Sequence, residues 1–349
     1  MKKKSELVKS LITEIKLRKN ELANQPIETI YLGGGTPSLL TAHELQRLIE
    51  TIFKNFKVVE EPEITIEANP DDLTKKHIKE LENSPVNRLS IGIQSFFDND
   101  LSQMNRAHNA IEAKTCLANV RDYFNNISID LIYGIPEMSV DKWLENLQIA
   151  FGFNVPHISS YALTIEPKTA LATFIKRGTF PPIDEHLALQ HFHALIKETR
   201  KHEFVHYEIS NFGKEGYFSK HNTSYWLGES YLGIGPSAHS YNGNQRSWNI
   251  SNNSKYIESI QNNQLPSSVE KLSTNDKFNE NIMTGLRTIW GISLDKIEKN
   301  FEEETMIQLL KSAQKFIDQD LLKLDDKTLK VTEKGKFLVD GIASELFMI

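Results

Sequence analysis

The first two-thirds of this chain switch repeatedly between two hydrophobic periods, and that alternation restricts the fold more than any other feature. Runs rich in β-branched and aromatic residues fall at positions 27–32, 64–68, 89–94, 127–133, 157–164 and 205–209 and read as strands. Helical periodicity fills the gaps, as where Leu45, Leu48, Ile49, Ile52 and Phe53 share one face at i, i+3, i+4 spacing. That helix opens with Thr41 and Glu44, a capping-box pair in which each side chain bonds the other residue's backbone amide. Alternating strand and helix implies a parallel sheet with right-handed crossovers. The expected fold class is α/β, an incomplete parallel (β/α) barrel of about six strands, with a doubly wound open sheet as the other option.

The opening helix, at about residues 5–21, has no strand before it. In a barrel that is a first helix without its first strand, which leaves a sheet edge unpaired. The expectation is that the first strand is missing and the chain's true beginning lies upstream. Past Phe212 the rhythm breaks, and Gly, Asn, Ser and Tyr dominate residues 213–254. A connection of that length without structure of its own would be unusual, which marks it as functional. Helical periodicity returns at 276–288 and 304–318, a hairpin is expected at 321–324 and 329–332, and a last helix at 333–346. The expected domains are a barrel at 1–212, a functional connecting segment at 213–265, and a smaller α+β, winged-helix-like domain at 266–349.

Composition excludes several classes of protein. Lys plus Arg total 40 against 46 Asp plus Glu, a net charge of −6 over 349 residues, whereas a dedicated nucleic-acid binder usually carries a basic excess. The single cysteine, Cys116, rules out an internal disulfide and any multi-thiolate metal site built from this chain alone. It falls among Ala113, Leu117 and Val120 on a helical pattern, as a buried core thiol does. No apolar run is long enough to span a bilayer, and the basic start leads into an amphipathic helix, not a secretory signal. A cytoplasmic location is expected.

Residues 31–38, YLGGGTPS, end the first predicted strand. Successive glycines allow positive φ and close backbone approach to a ligand, and ligands of parallel α/β folds sit at that end of the strands. A sharp turn uses the same residue types, but three glycines exceed its needs, and no Walker lysine follows. Glu67 and Asn69 end the second strand, Gln94 ends the third, and Asp130 lies within the fourth. Each alone reads better as a satisfied core polar group. Together, beside the glycines, they point to one polar ligand rich in hydroxyl and amine donors.

The order of these motifs then carries a resemblance. Residues 31–37 (YLGGGTP), 66–70 (IEANP), 88–96 (RLSIGIQSF), 105–108 (NRAH), 129–136 (IDLIYGIP), 160–167 (SYALTIEP), 207–212 (YEISNF), 221–226 (HNTSYW) and 231–241 (YLGIGPSAHSY) follow one another. The set resembles the oxygen-independent coproporphyrinogen III oxidase-like family of radical S-adenosylmethionine proteins, in its haem-chaperone branch. The resemblance implies that Gly34, Gly35 and Thr36 hold the amino-acid end of S-adenosylmethionine, with Glu67, Gln94, Arg106, Asp130 and Ala162 lining the rest. The chemistry agrees, since carboxylates suit an ammonium and a ribose diol while Arg106 suits a carboxylate.

The family's cluster motif, CxxxCxxC, is absent from this sequence, so the [4Fe–4S] cluster that the resemblance implies has no ligands here. The second informative segment is HNTSYW. Imidazole is a common haem ligand and aromatic pairs stack on porphyrins, so His221, Asn222, Tyr225 and Trp226 are the candidate haem residues. A packing loop with a solvated histidine is the competing reading. His239 is a weaker candidate, and His186, His191 and His193 lack the HExxH spacing of a metal pair. The implied function is a haem chaperone that passes haem to haem-requiring membrane enzymes of respiration. The alternatives are an oxygen-independent coproporphyrinogen III dehydrogenase and a cluster-free S-adenosylmethionine-binding module.

Overall fold

The computed structural model describes residues 3–22, 25–165, 170–178 and 180–348. Glu166 and Pro167, which end the SYALTIEP motif, lie outside the described residues. The expected incomplete barrel is present as a seven-stranded sheet in the order β1-β2-β3-β4-β5-β7-β6. Its strands are β1 (Ile27–Leu32), β2 (Val58–Ala68), β3 (Arg88–Gln94), β4 (Ile127–Tyr133), β5 (His157–Ala162), β6 (Val205–Glu208) and β7 (Asn211–Gly213). Strands β2 to β5 pair in parallel, whereas β7 runs antiparallel to both β5 and β6. The sequence shows no sign of β7, because three residues are too few to display an alternation. Strand β2 also begins earlier than expected, since Val58 to Glu61 are half-buried or exposed and carry little apolar signal.

Helices precede and separate the strands: α1 (Lys4–Leu17), α2 (Ala42–Asn55), α3 (Lys75–Glu82), α4 (Asp98–Gln103), α5 (Ala110–Arg121), α6 (Val140–Gly152), α7 (Ala170–Lys176) and α8 (Glu185–Lys201). The capping box of α2 is formed, with the Glu44 amide donating to Thr41 Oγ1 at 3.2 Å and the Thr41 amide to Glu44 Oε2 at 2.9 Å. Leu45, Leu48 and Ile49 are buried as expected, but Phe53 is 47% exposed and lies outside the core. Helix α1 stops at Leu17, short of the expected 21, where the Arg18 side chain turns away to partners far along the chain.

Two compact units emerge: residues 1–30, 40–63 and 220–349 form one, and residues 31–39 and 64–219 form the other. In the first unit Val8, Ile12 and Ile15 of α1 make a core cluster with Leu48 of α2. The stretch at 213–254 has structure of its own: helix α9 (Lys220–Trp226), strands β8 (His239–Tyr241) and β9 (Gln245–Asn249), and the start of α10 (Asn253–Gln261). Strand β10 (Ser267–Lys271) completes an antiparallel sheet in the order β10-β9-β8. At three to seven residues, α9, β8 and β9 are too short to show a period in the sequence.

The C-terminal part carries α11 (Thr274–Leu286), β11 (Ile292–Ser293), α12 (Leu294–Asn300), α13 (Glu303–Asp318), β12 (Leu322–Asp325), β13 (Thr328–Val331) and α14 (Val339–Glu345). The expected hairpin is β12–β13, turning through Asp326 at φ 46° and Lys327. With β11 it makes a three-stranded sheet in the order β11-β13-β12. The last helix starts at Val339, not 333, after a 3₁₀ turn at Lys336–Leu338.

Candidate functional site

In the second unit, strand alternation sorts side chains onto two faces of the sheet. Leu89, Ile91 and Ile93 of β3 and Ile127, Ile129 and Leu131 of β4 are fully buried on one face. The other face takes Gln94 and Gly92 of β3, Asp130 of β4 and Ser159 of β5, with Glu67 of β2 opposite Ser90 and Asp130 opposite Ser159. Glu67, Gln94 and Asp130, singled out in the sequence, therefore share one face, the first two at the C-terminal ends of their strands and Asp130 midway along β4.

Glu67 organises the glycine loop. Its Oε1 accepts from Tyr31 Oη at 2.8 Å, and its Oε2 accepts from the Gly34 amide at 3.0 Å. Gly34 and Gly35 adopt φ +73° and +67° with open space where a Cβ would stand, and Thr36 is exposed beside them. This left-handed, unobstructed pair is where glycine is required. A Cβ on Gly92 would lie 2.8 Å from Gln94 Nε2 and 3.1 Å from Arg106 Nη2, so glycine there is what admits both side chains. Arg106 Nη2 donates to Asn69 Oδ1 at 2.8 Å and to the Gly92 carbonyl at 3.3 Å. Gln94 has φ 66°, an uncommon conformation for a residue with a side chain.

Asp130 is half-buried, and its carboxyl is pushed up to about 7 by burial first and by the Glu67 charge second. Burial and the same two carboxylates raise the Tyr31 hydroxyl as well. Ala162 falls by alternation on the face of Ile158 and Ser160, so only its backbone can meet a ligand; Tyr161 is the β5 side chain on the face of Asp130. Below this layer, Ser128 Oγ meets His157 Nδ1 at 2.7 Å, His157 Nε2 meets Tyr207 Oη at 2.7 Å, and Ser159 Oγ donates to Asn211 Oδ1 at 2.9 Å. Burial holds His157 well below the usual imidazole range and therefore neutral. Sequence reasoning missed Tyr31, Tyr161 and this network, although Ser128 and Asp130, two apart in the otherwise apolar β4, were a usable signal.

The donor set fits S-adenosylmethionine: backbone amides and a guanidinium for its carboxylate, two carboxylates for its ammonium and diol. It does not fit an iron–sulfur cluster. Cys116 is buried on α5, with its thiol pushed up to about 12 by burial, and a thiolate ligand is what such a cluster needs. Among the described residues no group of three or more His, Cys, Asp or Glu side chains could hold a metal ion.

The HNTSYW segment, in the first unit, forms α9. Glu63 at the boundary of β2's buried stretch takes both leading amides, Lys220 on Oε2 and His221 on Oε1, each at 3.0 Å. His221 Nδ1 pairs with Thr29 Oγ1 at 3.0 Å, and burial lowers the imidazole to about 4, so it is neutral. The Tyr225 ring lies 5.0 Å from it, edge to face. Asn222 is half-buried, and Arg287 sits over the Trp226 ring at 5.0 Å. Neither Glu63 nor Thr29 was legible as a partner. His239 is exposed and stacks on Trp248 at 6.2 Å. His186 and His193 are exposed on α8, and buried His191 accepts the Gly134 amide at 3.0 Å, so all three are packing or surface residues.

Comparison with known proteins agrees with this geometry. Residues 7–150 match the Radical SAM superfamily, and residues 272–338 match the HemN C-terminal domain. A protein described as Heme chaperone HemW from Bacillus subtilis (strain 168) is 31% identical, with 89% of this chain and 83% of that protein covered. A protein of the same description from Lactococcus lactis subsp. lactis (strain IL1403) is 32% identical over 91% of this chain and 86% of its own. Among solved structures, coproporphyrinogen III oxidase (HemN) from Escherichia coli superposes with a TM-score of 0.83 at 20% identity, covering 99% of this chain and 83% of that one, which shows the fold alone. The chain belongs to the HemW family within the Radical SAM superfamily.

Proposed function

We propose that this protein is a haem chaperone that binds haem at α9 and S-adenosylmethionine at the carboxyl ends of the barrel strands. The observation that carries the haem reading is the setting of His221. A ligating imidazole is neutral and has its other ring nitrogen fixed by a hydrogen bond, and His221 is neutral with Nδ1 held by Thr29. Glu63 fixes the backbone that carries it, and Tyr225 offers an aromatic face beside it. The relatives' name, Heme chaperone, supports the same cargo.

At the barrel, Gly34, Gly35 and Thr36 would take the amino-acid end of S-adenosylmethionine, Arg106 its carboxylate, and Glu67 and Asp130 its cationic and hydroxyl groups. When bound, that cofactor supplies a sulfonium centre. Glu67 already holds the loop through the Gly34 amide, so the loop is shaped before the ligand arrives. The residues do not supply the three thiolates that a cluster needs, and the relatives' description as haem chaperones favours the chaperone over the dehydrogenase reading. Transfer of haem to membrane enzymes of respiration, in the cytoplasm, completes the proposal. No described helix is long and apolar enough to cross a membrane.

The test is a titration of hemin into the protein followed by absorbance, beside calorimetry with S-adenosylmethionine. A saturable Soret band is expected. A linear response, indistinguishable from free hemin, would overturn the haem reading.

A further inference from the structure

We infer that Glu14 and Arg18 of α1 are positioning residues for the haem site, acting through the loop of residues 231–241. This rests on the reading of α9 as that site. The two side chains are 0% and 4% exposed, and their ion pair spans Arg18 Nη1 to Glu14 Oε1 at 3.2 Å. A buried pair of this kind persists only when its remaining donors and acceptors are met; Glu21 takes Arg18 Nε at 2.9 Å and Nη2 at 2.7 Å, and the loop and its flanks meet the others. Arg18 Nη1 donates to the Gly233 carbonyl at 2.7 Å, and Nη2 donates to Ser240 Oγ at 3.1 Å. Ser240 Oγ in turn accepts the Gly233 amide at 3.0 Å. Glu14 accepts from the Gly235 amide at 2.8 Å, Asn249 Nδ2 at 2.7 Å and Tyr256 Oη at 2.5 Å.

Those contacts fall at the neck of the loop. Tyr231 and Tyr241 exchange both backbone bonds, each at 2.9 Å, and Gly233 and Ser240 lie just inside that bridge. The guanidinium therefore staples the two arms where they part. A Cβ on Gly233 would come within 2.0 Å of the His239 carbonyl oxygen, so only glycine at 233 lets the arms approach this closely. The rings carried by the bridge continue to the haem segment: Tyr241 to Tyr231 at 6.1 Å, Tyr231 to Tyr225 at 4.3 Å, and Tyr225 to His221 at 5.0 Å. A change at Arg18 or Ser240 reaches His221 along this row of rings.

The experiment compares hemin titrations and thermal melts of the wild type, Arg18→Gln, Ser240→Ala and His221→Ala. Ser240→Ala removes one hydroxyl that joins Gly233 to Arg18, and it decides the matter alone where Arg18→Gln does not fold. The expected result is a Ser240→Ala protein that stays folded but melts below the wild type, since the Gly233 amide loses its acceptor, binds hemin roughly tenfold more weakly, and shows a shifted Soret band even at saturation. Loss of stability by itself lowers the folded fraction and leaves the spectrum of the bound form in place, so the shift separates positioning from scaffolding. Ser240→Ala matching the wild type in both affinity and spectrum, while His221→Ala changes them, would overturn the inference and leave the haem site standing. No saturable binding by the wild type would remove the haem reading itself, and this inference with it.

Discussion

At the scale of single residues, His221 and Asp130 have the most readable behaviour. If His221 ligates haem, His221→Ala changes the Soret band and affinity of the bound form, and His193→Ala, on the exposed face of α8, changes neither. Identical absorbance titrations for all three proteins would remove His221 from the site. Asp130 makes a prediction about pH. Its folded carboxyl titrates at about 7 against an ordinary 3.8, so between those values the native state binds more protons than the unfolded one. Stability from this group is present below 3.8 and is lost as pH rises through 7. Asp130→Asn should therefore flatten the fall in melting temperature across that window and melt higher than the wild type on its alkaline side. Parallel pH profiles for the two proteins would contradict the assignment. The sequence marked Glu67, Gln94 and Asp130 together by their places on successive strands beside the glycines, and the strand register showed that they share a face. The sequence could not show that Glu67 is engaged by Tyr31, or His221 by Thr29, since those partners are 36 and 192 residues away.

At the scale of elements, α9 depends on Glu63 more than on its own sequence. The helix has only seven residues, too short to be stable by propensity, and two of its leading amides end on one carboxylate that is 5% exposed. Glu63→Ala leaves both donors unmet at a cost of about 1–3 kcal/mol each. The expected outcome is a lower denaturation midpoint together with weaker hemin binding, measured on one sample by urea titration and absorbance. A loss of stability with hemin binding intact would separate α9 from the haem site. The elements of the barrel were legible because long strands and helices repeat their period several times. Those of residues 213–254 were not, because α9 and β8 are seven and three residues long, too short to repeat a period.

At the scale of the whole molecule, the 349-residue chain combines the fold of a radical S-adenosylmethionine protein with a single, unreactive thiol. Anaerobic reconstitution with iron and sulfide should leave it without a stoichiometric [4Fe–4S] cluster, and Cys116→Ala should not change its iron content. A cluster with full iron and labile sulfide on this chain would refute the reading of Cys116 as a core residue. The count of cysteines was plain in the sequence; that the one present is buried on α5 needed the fold.

Haem transfer tests the central claim most directly. The chain is loaded with hemin, freed of excess by gel filtration, and mixed with membranes holding haem-depleted respiratory oxidase, and oxidase activity is followed in time. The account predicts that haem leaves the chain and activity returns faster than with an equal amount of free hemin, with His221→Ala losing that advantage. Haem retained by the chain, or activity no faster than with free hemin, would contradict it.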